Sequence, residues 1–444
     1  MEQAALQGGA LITKPHQRAL AIAVMHGARR RLGSALARYC PDLPVTVSTI
    51  HSVALTIVNR WRRSLGLSMP VTVCEHTCHL SERHGRTQAT FEEVMELGCK
   101  VLASPTARQM LSASYPLIIV DEFQDCTGNT LGFVQALAEA STVLFAADHF
   151  QKLQDVNSGC PAVEWAQALR ADGGISYEEL AGCRRTDSTA ILLAARALRD
   201  DLPSATLTVP VYYAPNVGPA AFRMVGRFRS WVPDRIKTGT CALILLSLED
   251  ALLPKLLASF AKQLAKRNPK RQVKWSRSVS QAEQQRQLFL ELGLNGADEI
   301  WRPEAAGLSH LAGSVARDVK RYCRLRGITD VPSDLAGQFA TLAVHNRRAF
   351  GWGSPQFEVL TVHGAKNREF EHVFVFWTCF KAAKWSIEEQ RRLLYNAVTR
   401  AKADCTVIAL GDAKVAQDDP VLSLLGPAQP AIDPAWKKKS TAKT

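Results

Sequence analysis

Short apolar runs recur along the chain, each broken by a polar turn. They are ALIT at Ala10–Thr13, VTVST at Val45–Thr49, LIIV at Leu117–Val120, VLFAA at Val143–Ala147 and CALILL at Cys241–Leu246. Three more follow, at Phe357–Val362, His372–Trp377 and Cys405–Leu410. The runs are continuous instead of alternating, which marks strands covered on both faces, as parallel sheets flanked by helices require. Helical spacing lies between them: after the KPHQR turn through about Arg38, in HSVALTIVNRW, and at Leu131–Ala140. In EEQRRLLYNAVTRAKA it puts Leu393, Leu394, Ala397, Val398 and Ala401 on one face. Strands alternating with helices predict an α/β fold with parallel sheets.

Two stretches lose this pattern and read as small, mostly helical insertions, at about 62–114 and 272–350. Turns at PSDLAG and GWGSP mark the far side of the second. A new unit begins near Ile175, so the expected domains are 1–170 and 171–412, with a basic tail at 413–444 that reads as disordered. At 444 residues, the chain can hold two domains with proper cores. No apolar run reaches the roughly 18 residues that a membrane span needs. The opening MEQAALQGGALITKPHQ lacks the charged and apolar regions of a signal peptide. Eleven cysteines without a regular framework suit a reducing compartment, so the expected location is cytoplasmic.

Charge narrows the class of partner. The net charge of +13 is concentrated in two acid-free stretches. One holds Lys14, Arg18, Arg29, Arg30, Arg31 and Arg38; the other surrounds Trp275 with Lys262, Lys266, Arg267, Lys270, Arg271, Lys274 and Arg277. Such clusters are footprints for phosphate backbones, and equally the pattern of solvated basic faces. Neither belongs to a strongly amphipathic helix, which favours nucleic acid over a membrane surface.

Candidate chemistry centres on LIIVDEFQD, Leu117–Asp125. Open α/β sheets bind ligands beyond the carboxyl ends of their strands, where Asp121, Glu122 and Gln124 fall. An Asp there can hold Mg²⁺ through water, and a neighbouring Glu can orient or deprotonate an attacking water. Gln151, just after the next run, carries an amide able to accept from water and donate to a phosphate oxygen. Arg185, in GCRRTDSTAILLAARAL, offers an always-charged, bidentate phosphate ligand. In CEHTCHLSERH, Cys74, Cys78, His79 and His84 are conceivable zinc ligands, but no second ligand pair sits at a typical distance.

Taken together, V-D-E-x-Q-D at Val120–Asp125, A-D-H-F-Q at Ala147–Gln151, R-R-T at Arg184–Thr186, T-V-H-G-A-K-N-R-E-F at Thr361–Phe370 and R-R-L-L-Y-N-A-V-T-R-A at Arg391–Ala401 resemble, in order, motifs II to VI of the UvrD/Rep-like superfamily 1 helicases. ALITKP and TIHS resemble motifs Ia and Ib, and the resemblance spans roughly Ala10 to Leu410. It implies two RecA-like domains, ATP and Mg²⁺ as cofactors, and single-stranded DNA or single-strand/duplex junctions as partner, with 3′-to-5′ movement. By the same resemblance Asp121 would hold Mg²⁺, Glu122 would act as base and Gln151 as phosphate sensor. Arg185 and Arg400 would be arginine fingers, and Gln124 and Glu369 would help to bind the nucleotide, Glu369 at the ribose. Lys14, His51, Ser52, His363 and Lys366 would contact DNA. His51 and Ser52 are also ordinary residues for a helix start. Asn367 replaces the family's glycine and tolerates the left-handed backbone expected there.

The family's G-x-x-x-x-G-K-T loop, which cradles phosphates, is not among the 444 residues. Three expectations stay open: a start upstream of Met1, a protein partner that supplies the loop, or a non-catalytic remnant that keeps DNA or partner binding. A nuclease-fused subunit is not supported, because no carboxylate and Lys cluster of nuclease spacing follows motif VI.

Overall fold

The first strand is β1 (Ala19–Ala23), and its position corrects the expectation of a strand at Ala10–Thr13. Leu11 instead ends a helical turn, and Gln17 accepts hydrogen bonds at Oε1 from the Thr13 and Lys14 amides, closing a loop before β1. ALAIA reads locally as helix because alanine is a strong helix former, but it is claimed by pairing on both sides. Ala19 lies opposite Val45 on one neighbour and Leu117 on the other. The alternation is of size: Ala19, Ala21 and Ala23 face one apolar cluster, Leu20 and Ile22 the other. In this computed structural model, described residues are 8–24, 26–73, 81–83, 86–153, 159–176, 178–179, 185–204, 206, 208–231, 240–248, 251–269, 273–277, 281–294, 300–302, 308–350 and 356–432.

Helix α1 (His26–Tyr39) follows, then β2 (Val45–Thr49) and α2 (Ile50–Trp61). The stretch expected to be a helical insertion is mixed: β3 (Val71–Val73), β4 (Ser81–Arg83) and β5 (Arg86–Ala89) form a small sheet. It is also no appendage. In α3 (Phe91–Leu102), started by a Thr90–Glu93 capping box, Val94, Met95 and Leu97 join the central core. Gly98 lets α3 approach closely, since a Cβ there would lie 2.9 Å from the Phe133 ring. Then come α4 (Pro105–Ser114), β6 (Leu117–Asp121), α5 (Gly128–Ala140) and β7 (Thr142–Phe145). Their sheet is parallel, in the order β2-β1-β6-β7. Thr49, Ala23 and Asp121 stand abreast where three strands end.

Among the described residues the second sheet has seven strands, all paired parallel, in the order β10-β11-β9-β12-β13-β8-β14. In chain order its unit contains α6 (Thr189–Asp200), β8 (Val211–Ala214), α7 (Val217–Trp231), β9 (Cys241–Leu245), α8 (Leu252–Arg267) and β10 (Ser276–Arg277). A helical insert then intervenes: α9 (Gln281–Glu291), α10 (His310–Leu325) and α11 (Ser333–Phe350). After it come β11 (Phe357–Thr361), β12 (Phe370–Thr378), α12 (Ile387–Val398), β13 (Ala401–Leu410) and β14 (Gln429–Pro430). Helices α6 and α12 pack on one face of the sheet, α7 and α8 on the other. The central strands are therefore buried on both sides, as their unbroken apolar runs require.

By contacts the chain forms two units. One comprises Met1–Asp148, Pro161–Ala166 and Val279–Gly353, the other His149–Cys160, Gln167–Ser278 and Ser354–Thr444. The helical insert, read from sequence as part of the second domain, thus groups with the first, where α11 packs against α1. The turn after β7 groups with the second, anchored by Phe150, whose ring meets Tyr395 edge-on at 5.0 Å. The tail is also corrected. Val421, Leu422, Leu424 and Leu425 are buried in the second core, Trp377 Nε1 donates to Asp419 Oδ2 at 3.1 Å, and β14 joins the sheet edge. Only 433–444 of it lies outside the described residues. Among the described residues, no helix is long and apolar enough to cross a membrane.

Candidate functional site

In the first unit the chemistry gathers where β6 ends. Asp121 is the last strand residue, and Glu122 follows in the left-handed region at φ 57°, ψ 40°. For a non-glycine residue that conformation costs on the order of 1–3 kcal/mol and persists only where its surroundings fix it. Three contacts fix it here. Phe123 N donates to Ala146 O at 2.9 Å, Gln124 Nε2 to Glu122 Oε2 at 2.6 Å, and Arg31 Nη2 to Glu122 Oε1 at 2.9 Å. Gln124 Oε1 accepts from the Asp148 amide at 3.0 Å, so one buried amide ties the two strand ends together. Gln124 is 1 % exposed and positions Glu122.

Arg31 was legible only as one of a basic cluster. Its guanidinium also lies 3.6 Å from Asp121 Oδ2, so it bridges both carboxylates. Burial raises the Asp121 carboxyl above its ordinary range, the Glu122 charge adds to this, and Arg31 opposes it. Among the described residues no group of three or more His, Cys, Asp or Glu could hold a metal ion by itself. Two carboxylates at a strand end do fit a Mg²⁺ carried in by phosphates, which needs only one or two protein oxygens.

The expected DNA contacts of this unit are partly occupied in structure. Thr49, not His51 or Ser52, is the N-cap of α2; its Oγ1 accepts from Ser52 N at 3.3 Å and lies 2.8 Å from Ser52 Oγ. His51 packs edge-on against Phe91, with centroids 4.9 Å apart. Both nevertheless sit at the carboxyl edge of the sheet. Lys14 does not: it is exposed in the loop that precedes β1, on the amino-terminal side, because the strand lies further along than the sequence suggested. Cys74, Cys78, His79 and His84 lie outside the described residues.

The second unit gathers another group. Glu369 accepts from Arg185 Nε at 3.1 Å and pairs with Lys402 Nζ at 3.1 Å, while Arg185 Nη1 donates to Thr399 O at 3.3 Å. Lys402 was not singled out in the sequence; its place two residues beyond Arg400 is the only signal. Arg400 is fully buried and folds back on its own helix. Its Nε donates to Asn396 O at 3.0 Å and its Nη2 to Thr399 Oγ1 at 3.3 Å, so it does not project as expected of a finger. Gln151 ends the short helical turn His149–Gln151.

Between β11 and β12, Thr361 caps a single turn by accepting from Gly364 N at 2.9 Å. His363 is held below its ordinary pKa by desolvation, against a hydrogen bond with the Leu153 backbone and with some help from the Lys366 charge. Lys366 is buried, and Asn367 takes φ 64°, as the left-handed expectation required. Arg368 pairs with the buried Glu358 at 2.5 Å and fixes the loop to β11. In the basic stretch, Trp275 packs into the core against Phe260, with centroids 5.6 Å apart, and Arg267 lies over Phe222 at 4.3 Å.

Residues 356–408 match the family described as the UvrD-like helicase C-terminal domain, a span that holds His363, Lys366, Glu369 and Arg400. No curated protein sequence matches the chain. Among solved structures, the C-terminal domain of a possible DNA helicase from Lactobacillus plantarum aligns with 14% identity and a TM-score of 0.27, over 55% of this chain and 95% of that one. At residues 356–408 the chain is thus similar to UvrD-like helicases.

Proposed function

We propose that the chain is the motor of an ATP-dependent DNA helicase or translocase of the UvrD/Rep type, moving on single-stranded DNA. The observation that carries this reading is the helicase-type match at 356–408, which contains the Glu369 bonded to Arg185 and Lys402. The acidic pair at the end of a central parallel strand supports it independently. In this reading Asp121 would help to hold Mg²⁺, and the metal would supply neutralisation of phosphate charge. Glu122, fixed by Gln124, orients and deprotonates the attacking water. Gln151 reports on the terminal phosphate and Arg185 stabilises its charge, while Arg400 stays buried against Asn396 and Thr399. Glu369 holds Arg185 and Lys402 until the nucleotide arrives; His51, Ser52, His363 and Lys366 grip DNA, with Lys14 as an outlying cation.

The test is DNA-stimulated ATP hydrolysis by a chain extended to include a phosphate-cradling loop. Hydrolysis that Glu122→Gln lowers by about a hundredfold to ten-thousandfold, as loss of a general base does, is the expected result. No hydrolysis from the extended chain, with DNA binding kept, would leave a non-catalytic DNA-binding protein.

A further inference from the structure

Helix α10 reads HLAGSVARDVKRYCRL and uses two of its faces differently. Ala312, Val315, Ala316, Val319 and Cys323 are buried in the helical insert. Beside them Arg317, Lys320, Arg321 and Arg324 stand at i, i+3, i+4 and i+7, all exposed, as a ridge about 10 Å long. Among the described residues none of the four forms an ion pair, although Asp318 shares the helix. Next to the ridge runs a groove between α10 and α11, lined by Val315, Asp318, Tyr322, Leu325, Phe339 and Leu342, with Arg321 on its lip, so that one acid stands among the ridge's four cations. Leu325 is 76% exposed and Leu342 55%, an unusual presentation for two leucines flanking one groove.

The chemistry of the groove selects its occupant. Bases bind single-strand sites by stacking on open aromatic faces. Here Tyr322 and Phe339 meet edge-on, with centroids 5.4 Å apart, and the Arg326 guanidinium covers Tyr322 at 4.8 Å. What is offered to solvent is aliphatic, between two helices, which suits the apolar ridge of a third helix. The cationic lip requires acids on that helix. A second copy of this chain, at net charge +13, is a poor match, and so is its own lysine-rich end DPAWKKKSTAKT.

We propose that the α10–α11 groove docks an acidic amphipathic helix of a partner protein. Its apolar side chains cover Leu325 and Leu342, and its carboxylates meet Arg317, Lys320, Arg321 and Arg324. This goes beyond the motor reading and does not depend on it. The test is fluorescence anisotropy of the full chain with two labelled synthetic peptides of equal Leu and Glu content. One places Leu at helical a and d positions and Glu elsewhere; the other scrambles the order. The amphipathic peptide is expected to bind at least about tenfold more tightly. The double variants L325S/L342S and R321E/R324E should each weaken it about tenfold, and a Lys-for-Glu peptide should recover binding to R321E/R324E alone. All four positions are exposed, and circular dichroism verifies that the variants fold. Equal binding of the two peptides, or variants that bind like the parent, overturns the proposal. So does a result in which R321E/R324E weakens a single-stranded oligonucleotide and leaves the peptide unchanged, which makes the ridge a nucleic-acid surface.

Discussion

Arg31 Nη2 lies 2.9 Å from Glu122 Oε1 and 3.6 Å from Asp121 Oδ2, so the acidic pair already has a counter-ion from its own chain. The pair is partly shielded, with side chains 30%, 8% and 22% exposed for Arg31, Glu122 and Asp121. A divalent cation arriving on phosphates must compete with a guanidinium whose charge opposes it. Arg31→Met is therefore expected to tighten binding of Mn²⁺, as a spectroscopic substitute for Mg²⁺, by about tenfold, equivalent to about 1.4 kcal/mol. Electron paramagnetic resonance titration of the metal measures this without any turnover. Weaker Mn²⁺ binding would instead show that Arg31 orients the carboxylates.

Gln124 is the second support of the same turn. Its amide donates to Glu122 and accepts from Asp148 N while 1 % exposed. Gln124→Ala leaves the part-buried Asp148 amide and a Glu122 carboxylate oxygen without these partners, at up to about 1–3 kcal/mol per unsatisfied group. A denaturant midpoint lowered accordingly is the expected outcome. Gln124→Glu should cost at least as much, because it places a second carboxylate against Glu122. An unchanged midpoint for Gln124→Ala would mean that water replaces the amide.

How much of this was legible follows from where the information lies. Strands β6 and β9 announce themselves because Leu, Ile and Val dominate runs buried on both faces. ALAIA does not, since alanine carries no β preference and only pairing with Val45–Thr49 and Leu117–Asp121 makes it a strand. Misplacing β1 moved Lys14 to the wrong end of the sheet and hid Arg31, which enters on α1 directly after that strand. The carboxylates were readable because Asp121 and Glu122 are neighbours in sequence. Their partner is not, being set by strand register across some ninety residues. The left-handed Asn367 was readable from its residue type; the inward fold of Arg400 was not, because an isolated helix end does not specify which way a long side chain packs.

His372 supplies a pH prediction. Its ring stacks on Trp231 with centroids 5.2 Å apart and planes within 7°. Desolvation lowers its pKa from 6.5, opposed by Asp404, Glu371 and a hydrogen bond with the Trp231 backbone. The folded state thus binds this proton less readily than the unfolded chain. The contribution to stability is complete above about 6.5 and is lost as pH falls through the lowered folded value. His372→Phe keeps the stacking and removes the titration. Its thermal midpoint should fall less than that of the parent between pH 7 and pH 5, and parallel declines would exclude His372 as a source of acid sensitivity.

Glu369 divides one carboxylate between two cations, Arg185 at 3.1 Å and Lys402 at 3.1 Å. With side chains 23% and 25% exposed, the Arg185 pair contributes little to stability, about 0–1 kcal/mol. Its consequence is for anion binding. If Arg185 serves phosphate, Glu369 competes with the nucleotide for the same guanidinium, just as Arg31 competes with a metal in the other unit. Glu369→Gln should then tighten binding of a fluorescent ATP analogue about threefold to tenfold, and Arg185→Ala should weaken it by at least as much. The double variant decides the order of action. If Glu369 acts through Arg185, adding Glu369→Gln to Arg185→Ala restores little, leaving a coupling of about 1 kcal/mol. Should Glu369→Gln weaken nucleotide binding as strongly as Arg185→Ala, the carboxylate contacts the nucleotide itself, as a ribose ligand would, and the competition view is wrong.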